Sequence, residues 1–267
     1  MAAFRLSIIG LGNMGSAALN GLLEAHILDP KQIVVAEHDE EKRQHAIDLG
    51  CATSEKVAEI KDAEQIMLAV KPQSFPEVGT WLGKLAEPTV VISVMAGVPS
   101  ENISARLGPA AKVVRVMPNT PCRIGRGMTA IALGKGATQE DASLATKIFD
   151  AIGHSVQVDE LHIDATTALG GSGPAYVFLL AEAMVRAGIE MGLDEQIAIQ
   201  ITEHTIAGSG QLLLESATDA AALRAMVTSK GGTTAAAIDL MLQHEFDEIV
   251  LKAVKAAQKR GQELGKH

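Results

Sequence analysis

The hexapeptide Gly10-Leu11-Gly12-Asn13-Met14-Gly15 constrains the fold more than any other feature of this chain. It follows an apolar run at once and opens a helical pattern at once. In that setting the first glycine allows a tight turn, and the second lets the main chain approach a pyrophosphate. The third lets a helix pack closely on a strand, and the helix N-terminal amides then face the phosphates. A tight turn with no ligand is the plain alternative, but both flanks and the place near the N-terminus favour the nucleotide reading. Gly10, Gly12 and Gly15 are the first candidate cofactor residues.

The pattern around this motif extends the reading. Short β-branched runs at 5–9, 33–36, 66–70, 90–94, 113–117 and 128–133, with a shorter one at 155–158, predict strands. Several are apolar almost throughout, as strands covered on both faces are. Helical patterns at 14–25, 40–49 and 75–85 fit between them. The βαβ alternation predicts an α/β, doubly wound, mostly parallel sheet of the Rossmann type. Beyond about residue 160 no useful strand remains. Helices are expected at 174–192, 195–215, 220–228, 233–244 and 246–264, with Pro174 in a first helical turn where it is tolerated. The expected boundary lies within 159–166, giving a nucleotide-binding domain over 1–160 and an all-α domain over 161–267.

Composition narrows the function classes. Among 267 residues, 47% are hydrophobic and only 3% aromatic, so the core must come from Ala, Val, Ile, Leu and Met. A net charge of −9 argues against nucleic acid as a partner, since phosphate backbones need a basic face. Cys51 and Cys122 show no metal spacing and read as reduced thiols. No metal site is expected. The apolar stretch 165–181 contains Gly170, Gly171, Gly173 and Pro174, which are read as breaks, so no membrane span is expected. No signal peptide is convincing, because glycines interrupt the first apolar run. A cytoplasmic protein follows as the expectation.

Ligands in open α/β sheets bind beyond the carboxyl ends of the strands. Ala69-Val70-Lys71-Pro72, Met95-Ala96-Gly97 and Met117-Pro118-Asn119-Thr120-Pro121 lie at such ends, although loops of this kind are often only turns. The second strand ends in Glu37-His38-Asp39-Glu40. An acidic residue there pairs with ribose hydroxyls and favours NAD. A 2′-phosphate prefers a cation, and Lys42 and Arg43 lie one turn on. Equally, Asp39-Glu40-Glu41 suits the start of the next helix. The phosphate question stays open at this point. A second dense cluster, Met226–Thr234, sets two glycines beside hydroxyl residues just before a helix. It reads either as an anion cradle or as a loop with a Thr N-cap.

Five stretches resemble the Δ1-pyrroline-5-carboxylate reductase family, in family order and across nearly the whole chain. They are Ile9–Gly15, Ala69–Pro72, Arg115–Pro121, Gly171–Tyr176 and Val227–Thr234. The last, continuing into 235–239, resembles the family signature and is the most specific. The resemblance implies hydride transfer from NADPH or NADH to the C=N bond of a cyclic imine, giving L-proline. It implies that the Gly12–Met14 turn (Gly12, Asn13, Met14), the loop Ala69, Val70, Lys71 and Pro72, and Asn119 contact the cofactor. Ala96 and Gly97 belong to the same expected crevice. It implies that Ser229, Gly231, Gly232, Thr233 and Thr234 bind the substrate carboxylate, with Thr234 on the ring nitrogen as the catalytic hydroxyl. It also implies a homodimer, or a higher homo-oligomer, formed by interleaved C-terminal helices, with active sites lined by both subunits. The family often prefers NADPH. Glu37 falls where a smaller neutral residue would better suit a 2′-phosphate, which keeps NAD in play beside NADP.

Imine reduction asks little of side chains, because a protonated imine is already electrophilic and needs mainly alignment. This fits the lack of a Ser/His/Asp or Cys/His constellation. The histidines, including His204 and His244, form no HExxH or other metal spacing. Lys71 suits an anionic ligand or a solvated strand end, and Tyr176 suits core packing. An Ala/Leu stripe through 181–191 and 197–214 exceeds what one small helical domain can bury, so a helix-against-helix interface is expected there. Two other functions compete. A β-hydroxyacid dehydrogenase shares the first half but would need a Lys or His proton donor in the helical half. A nucleotide sensor needs no second cradle. Neither accounts for both clusters.

Overall fold

The apolar runs of the first half become strands buried on both faces. A computed structural model describes residues 4–265. Its strands are β1 (Leu6–Ile9), β2 (Ile33–Ala36), β3 (Ala52–Ser54), β4 (Gln65–Leu68), β5 (Thr89–Ser93), β6 (Ala111–Met117), β7 (Gly127–Leu133) and β8 (Gly153–Gln157). They form one sheet in the order β3-β2-β1-β4-β5-β6-β7-β8. All neighbours are parallel except β6 and β7. The helices of this half are α1 (Asn13–Glu24), α2 (Glu40–Asp48), α3 (Phe75–Leu82), α4 (Ser100–Leu107) and α5 (Ser143–Ala151).

Period-2 alternation assigns each strand residue to one of two cores. Leu6, Ile8 and Met67 pack with Leu19 of α1 and Phe149 of α5. Ile9, Leu68 and Val91 pack on the other face with Leu82 of α3 and Ile103 of α4. The chain runs outward from β1 to β3 and then returns to β4 on the other side of β1. That reversal opens a crevice above the carboxyl ends of β1 and β4, where ligands of such sheets bind.

Three differences from the sequence expectations have physical causes. Strand β3 was not expected; its three half-buried residues are too few to show a period. Helix α3 stops at Leu82 rather than 85, because Gly83 takes φ 67 and turns the chain away. The glycines near 170 do not break the apolar stretch. Helix α6 (Ile163–Thr166) passes through a π-turn over Thr167–Gly171 into α7 (Gly173–Glu190). The π register is closed by the Ser172 amide donating to the Thr167 carbonyl at 2.8 Å. The Asn119 side-chain amide donates to the Gly170 carbonyl at 3.0 Å and so satisfies a carbonyl there. Residues Glu160–Glu190 are consequently long and apolar enough to cross a membrane by length and composition alone.

The remaining helices are α8 (Glu195–Glu215), α9 (Ala220–Met226), α10 (Thr233–Gln243) and α11 (Phe246–Leu264). The chain divides into two compact units, one drawn from 1–174 and 257–267 and the other from 175–256. Within 175–256 only Gly188, Ala198 and Thr202 are buried. Apolar side chains such as Leu179, Ile201 and Leu214 are exposed by 67%, 53% and 79%. A unit of that length with so little interior cannot offset its own chain entropy.

One polar knot secures the end of the sheet. Arg115 of β6, its side chain 7% exposed, pairs with Glu160 at 3.1 Å, and Glu160 also accepts the Ser100 amide at 2.8 Å. Replacing Glu160 by Ala strands the guanidinium and the first amide of α4. The expected cost is about 3 kcal/mol, readable as a lowered urea midpoint. A loss below about 1 kcal/mol would mean that water replaces the carboxylate freely.

Candidate active site

The glycine motif is placed as its spacing predicts. The Gly10 amide donates to the Ala36 carbonyl at 2.9 Å, tying β1 to the end of β2. Gly10 takes φ 94, and a Cβ on Gly15 would stand 2.2 Å from the Gly10 carbonyl oxygen. Nothing lies within 4 Å of a Cβ built on Gly12. Gly12 is the N-cap of α1 and offers no side-chain acceptor, and no acidic residue stands in the first turn. The first-turn amides therefore keep open hydrogen-bonding capacity toward the space above Gly12. A dinucleotide pyrophosphate fits that place.

A cavity of about 530 Å³ extends from this turn over the ends of β2 and β4. Gly10, Gly12, Glu37, Ala69, Val70 and Lys71 line it, so three of the four loop residues 69–72 face it; Pro72 opens the following turn. A neighbouring cavity of about 420 Å³ shares Gly12 and Lys42 and adds Asn13, Ser16 and Arg123. Met14 is half-buried in the first turn of α1 and packs against the core. Trp81 and Arg123 carry no local signal in the sequence, because only the fold brings α3 and the turn after β6 to these cavities.

The acidic tail of β2 divides between its two readings. Asp39 caps α2 by accepting the Lys42 amide at 3.1 Å, and Glu40 and Glu41 occupy the first turn. Glu37 does something else. Its Oε2 accepts the Leu11 amide at 2.7 Å, while Oε1 accepts the amides of His38 and Asp39 at 2.9 and 3.0 Å.

Other candidate positions lie away from these cavities. Ala96 is exposed after β5, and Gly97 takes φ 72; a Cβ there would lie 3.0 Å from the Cβ of Leu264. Asn119 spends its side chain on protein groups, donating to Gly170 as above and accepting the Met128 amide at 2.9 Å. Both thiols are buried, and burial pushes the Cys51 and Cys122 thiols up, so neither is an activated nucleophile. Among the described residues no group of three or more His, Cys, Asp or Glu is placed to hold a metal.

The second cluster forms the turn between α9 and α10. Gly231 takes φ 73, and the Gly232 amide donates to the Ser229 carbonyl at 3.0 Å. Gly232, rather than a threonine, is the N-cap of α10, and it brings no side-chain acceptor. Thr228 instead donates its hydroxyl to the Arg224 carbonyl at 2.6 Å. A Cβ on Gly232 would stand 2.5 Å from the Ser229 hydroxyl, so that hydroxyl lies against the helix start. Ser229, Gly231 and Thr233 are exposed, and Gly232 and Thr234 are half-buried. The turn thus presents uncapped amides and three hydroxyls, as an anion cradle requires.

These features define a class: a dinucleotide-binding α/β protein with a helical region that has too little core to stand alone. Residues 160–264 match the family model described as pyrroline-5-carboxylate reductase dimerisation, and residues 5–97 match that of NADP oxidoreductase, coenzyme F420-dependent. The helical region is accordingly a dimerisation domain. A pyrroline-5-carboxylate reductase of Haemophilus influenzae is 38% identical, with 97% of each chain covered. One from Arabidopsis thaliana is 33% identical over 98% of this chain and 96% of its own. The solved reductase from Coxiella burnetii superposes with a TM-score of 0.92 at 33% identity, covering 99% of this chain and 100% of its own. The chain belongs to the pyrroline-5-carboxylate reductase family.

Proposed function

We propose that this protein reduces the C=N bond of Δ1-pyrroline-5-carboxylate to L-proline, the last step of proline biosynthesis, with hydride from NAD(P)H. Family membership over the full chain supports this reading, and so does the related Plasmodium falciparum reductase, whose structure has NADP bound. The observation that carries it is the uncapped start of α10, which we read as a second anion cradle beyond the nucleotide one. Neither a β-hydroxyacid dehydrogenase nor a nucleotide sensor accounts for it. Residues 1–160 would serve the nucleotide and 161–267 the substrate and the dimer. We place the protein in the cytoplasm as a homodimer or larger homo-oligomer.

A dinucleotide held at the nucleotide site would supply the hydride. The protein's part is placement. Gly10, Gly12, Asn13, Met14 and Gly15 with Ala69, Val70, Lys71 and Pro72 would hold the dinucleotide, with Ala96, Gly97 and Asn119 toward its reactive end. The amides after Gly232 and the hydroxyls of Ser229 and Thr233 would hold the substrate carboxylate. Thr234 would accept a hydrogen bond from the protonated ring nitrogen. Hydride adds to the imine carbon, the C=N electron pair returns to nitrogen, and the positive charge is cancelled. No further proton is needed, which fits a site without a general acid.

Thr234→Ala is expected to lower kcat by about a hundredfold, in the range for removing one oriented polar group, with cofactor affinity unchanged. Initial rates and a cofactor titration check this. Unchanged turnover would remove Thr234 from the mechanism. The activity itself is tested by imine-dependent loss of the reduced cofactor's near-ultraviolet absorbance. A protein that binds the cofactor but shows no such loss would overturn the proline reading.

A further inference from the structure

We infer that Glu37 makes the nucleotide site selective for a free ribose 2′-hydroxyl, so that NADH binds in preference to NADPH. The inference rests on the reductase reading through its nucleotide site alone. The pyrophosphate cradle above Gly12 is common to both cofactors and does not discriminate. Discrimination falls to the end of β2, where the adenosine ribose of a Rossmann-bound dinucleotide meets the protein.

Three observations at that place oppose a phosphate. The first is Glu37 itself, a carboxylate with its side chain only 4% exposed, on the wall of the larger cavity. Three main-chain amides hold it there, from Leu11, His38 and Asp39. Oε1 accepts two of these amides and also stands 3.1 Å from His38 Nδ1, whereas Oε2 accepts one amide and keeps a second acceptor position for a ribose hydroxyl. The carboxylate has nothing to offer a phosphate but repulsion.

The second is the state of the nearby donors. Main-chain amides at a strand-to-helix turn are natural phosphate ligands. Here the amides of His38 and Asp39 are taken by Glu37, and the amide of Lys42 by Asp39. The protein's own carboxylates already occupy these three amides.

The third concerns the cations. The Arg43 guanidinium, its side chain 12% exposed, is held by Glu40 and, at 2.9 Å, by Glu55. It also donates to the Glu37 carbonyl at 3.1 Å. Reaching a 2′-phosphate would cost all three contacts. Lys42 also lines the cavity, with its ammonium 4.0 Å from Asp39. Lys42 and Arg43 stand among Glu37, Asp39, Glu40 and Glu55, two cations against four carboxylates, so the local balance repels a dianion.

The experiment titrates wild-type protein with NADH and with NADPH, without imine, by calorimetry. Trp81, the one tryptophan, lines the same cavity and gives a parallel fluorescence reading. NADH is expected to bind at least about tenfold tighter, as one unrelieved like-charge contact implies. Glu37→Gln keeps an acceptor oxygen for the turn amides and removes the charge. It should narrow the ratio by about tenfold, chiefly through tighter NADPH binding. Equal or tighter NADPH binding by the wild type would overturn the inference and leave the reductase reading standing. So would a ratio unchanged in a folded Glu37→Gln variant. If that variant does not fold, the wild-type ratio decides alone. Binding of neither cofactor would overturn the reductase reading and this inference with it.

Discussion

Gly12→Ala is expected to leave the fold intact and cripple cofactor binding, whereas Gly15→Ala loses both. Gly12 has φ −68 and ψ −174, which any residue adopts, and a Cβ there meets nothing within 4 Å. Its stability should change by no more than about 0.5 kcal/mol. The added methyl would stand where a pyrophosphate meets the helix amides. Overpacking of that kind costs about 1–3 kcal/mol, so affinity should fall roughly ten- to a hundredfold. At Gly15 the methyl would lie 2.2 Å from the Gly10 carbonyl oxygen, and helix or strand must move. A loss of about 3 kcal/mol is expected there, with no measurable binding. Thermal unfolding and calorimetric titration of the two variants separate these effects. A stable Gly15→Ala protein that binds cofactor normally would contradict the packing described here.

Leu179→Asp is expected to break the assembly and inactivate the enzyme. On a functional monomer this change would be nearly silent, because Leu179 is 67% exposed and lone surface substitutions cost within about 0.5 kcal/mol. In a dimerisation domain the same residue becomes core, and an unpaired carboxylate there costs several kcal/mol. Ile201→Asp, on α8 and 53% exposed, is the companion variant. Light scattering on a sizing column should show a dimer or larger for the wild type and monomer or aggregate for the variants. Two well-folded variants of unchanged size would exclude both helices from the interface.

Local rules carried much of the architecture. β2, α8 and α11 span the residues that periodicity predicts, because a buried strand or a long helix repeats its signal over many residues. β3 escaped, since three half-buried residues repeat nothing. The glycines at 170, 171 and 173 misled because helix-breaking is a local tendency that packing overrides; here a π-turn and the Asn119 side chain absorb it. The two glycine-bearing turns were legible because each sets glycines next to a helix start, a pattern contiguous in the chain. Trp81 and Arg123 were not, because nothing local distinguishes a cavity-lining residue from any other exposed one.

The amino-acid sequence by itself determined the α/β half, the helical half, the two glycine-bearing turns and the family. Each rests on spacing within one short segment, and that is information a linear chain carries directly. The tertiary structure alone decided what Glu37 does. From sequence the acidic stretch 37–41 reads either as the source of a ribose ligand or as the start of the next helix. Folding brings the Leu11 amide, 26 positions away, to 2.7 Å from the Glu37 carboxylate and assigns the helix cap to Asp39 instead. The physical reason is that hydrogen-bond partners distant in sequence are chosen by strand register, and the pairing of β1 with β2 is a property of the whole sheet.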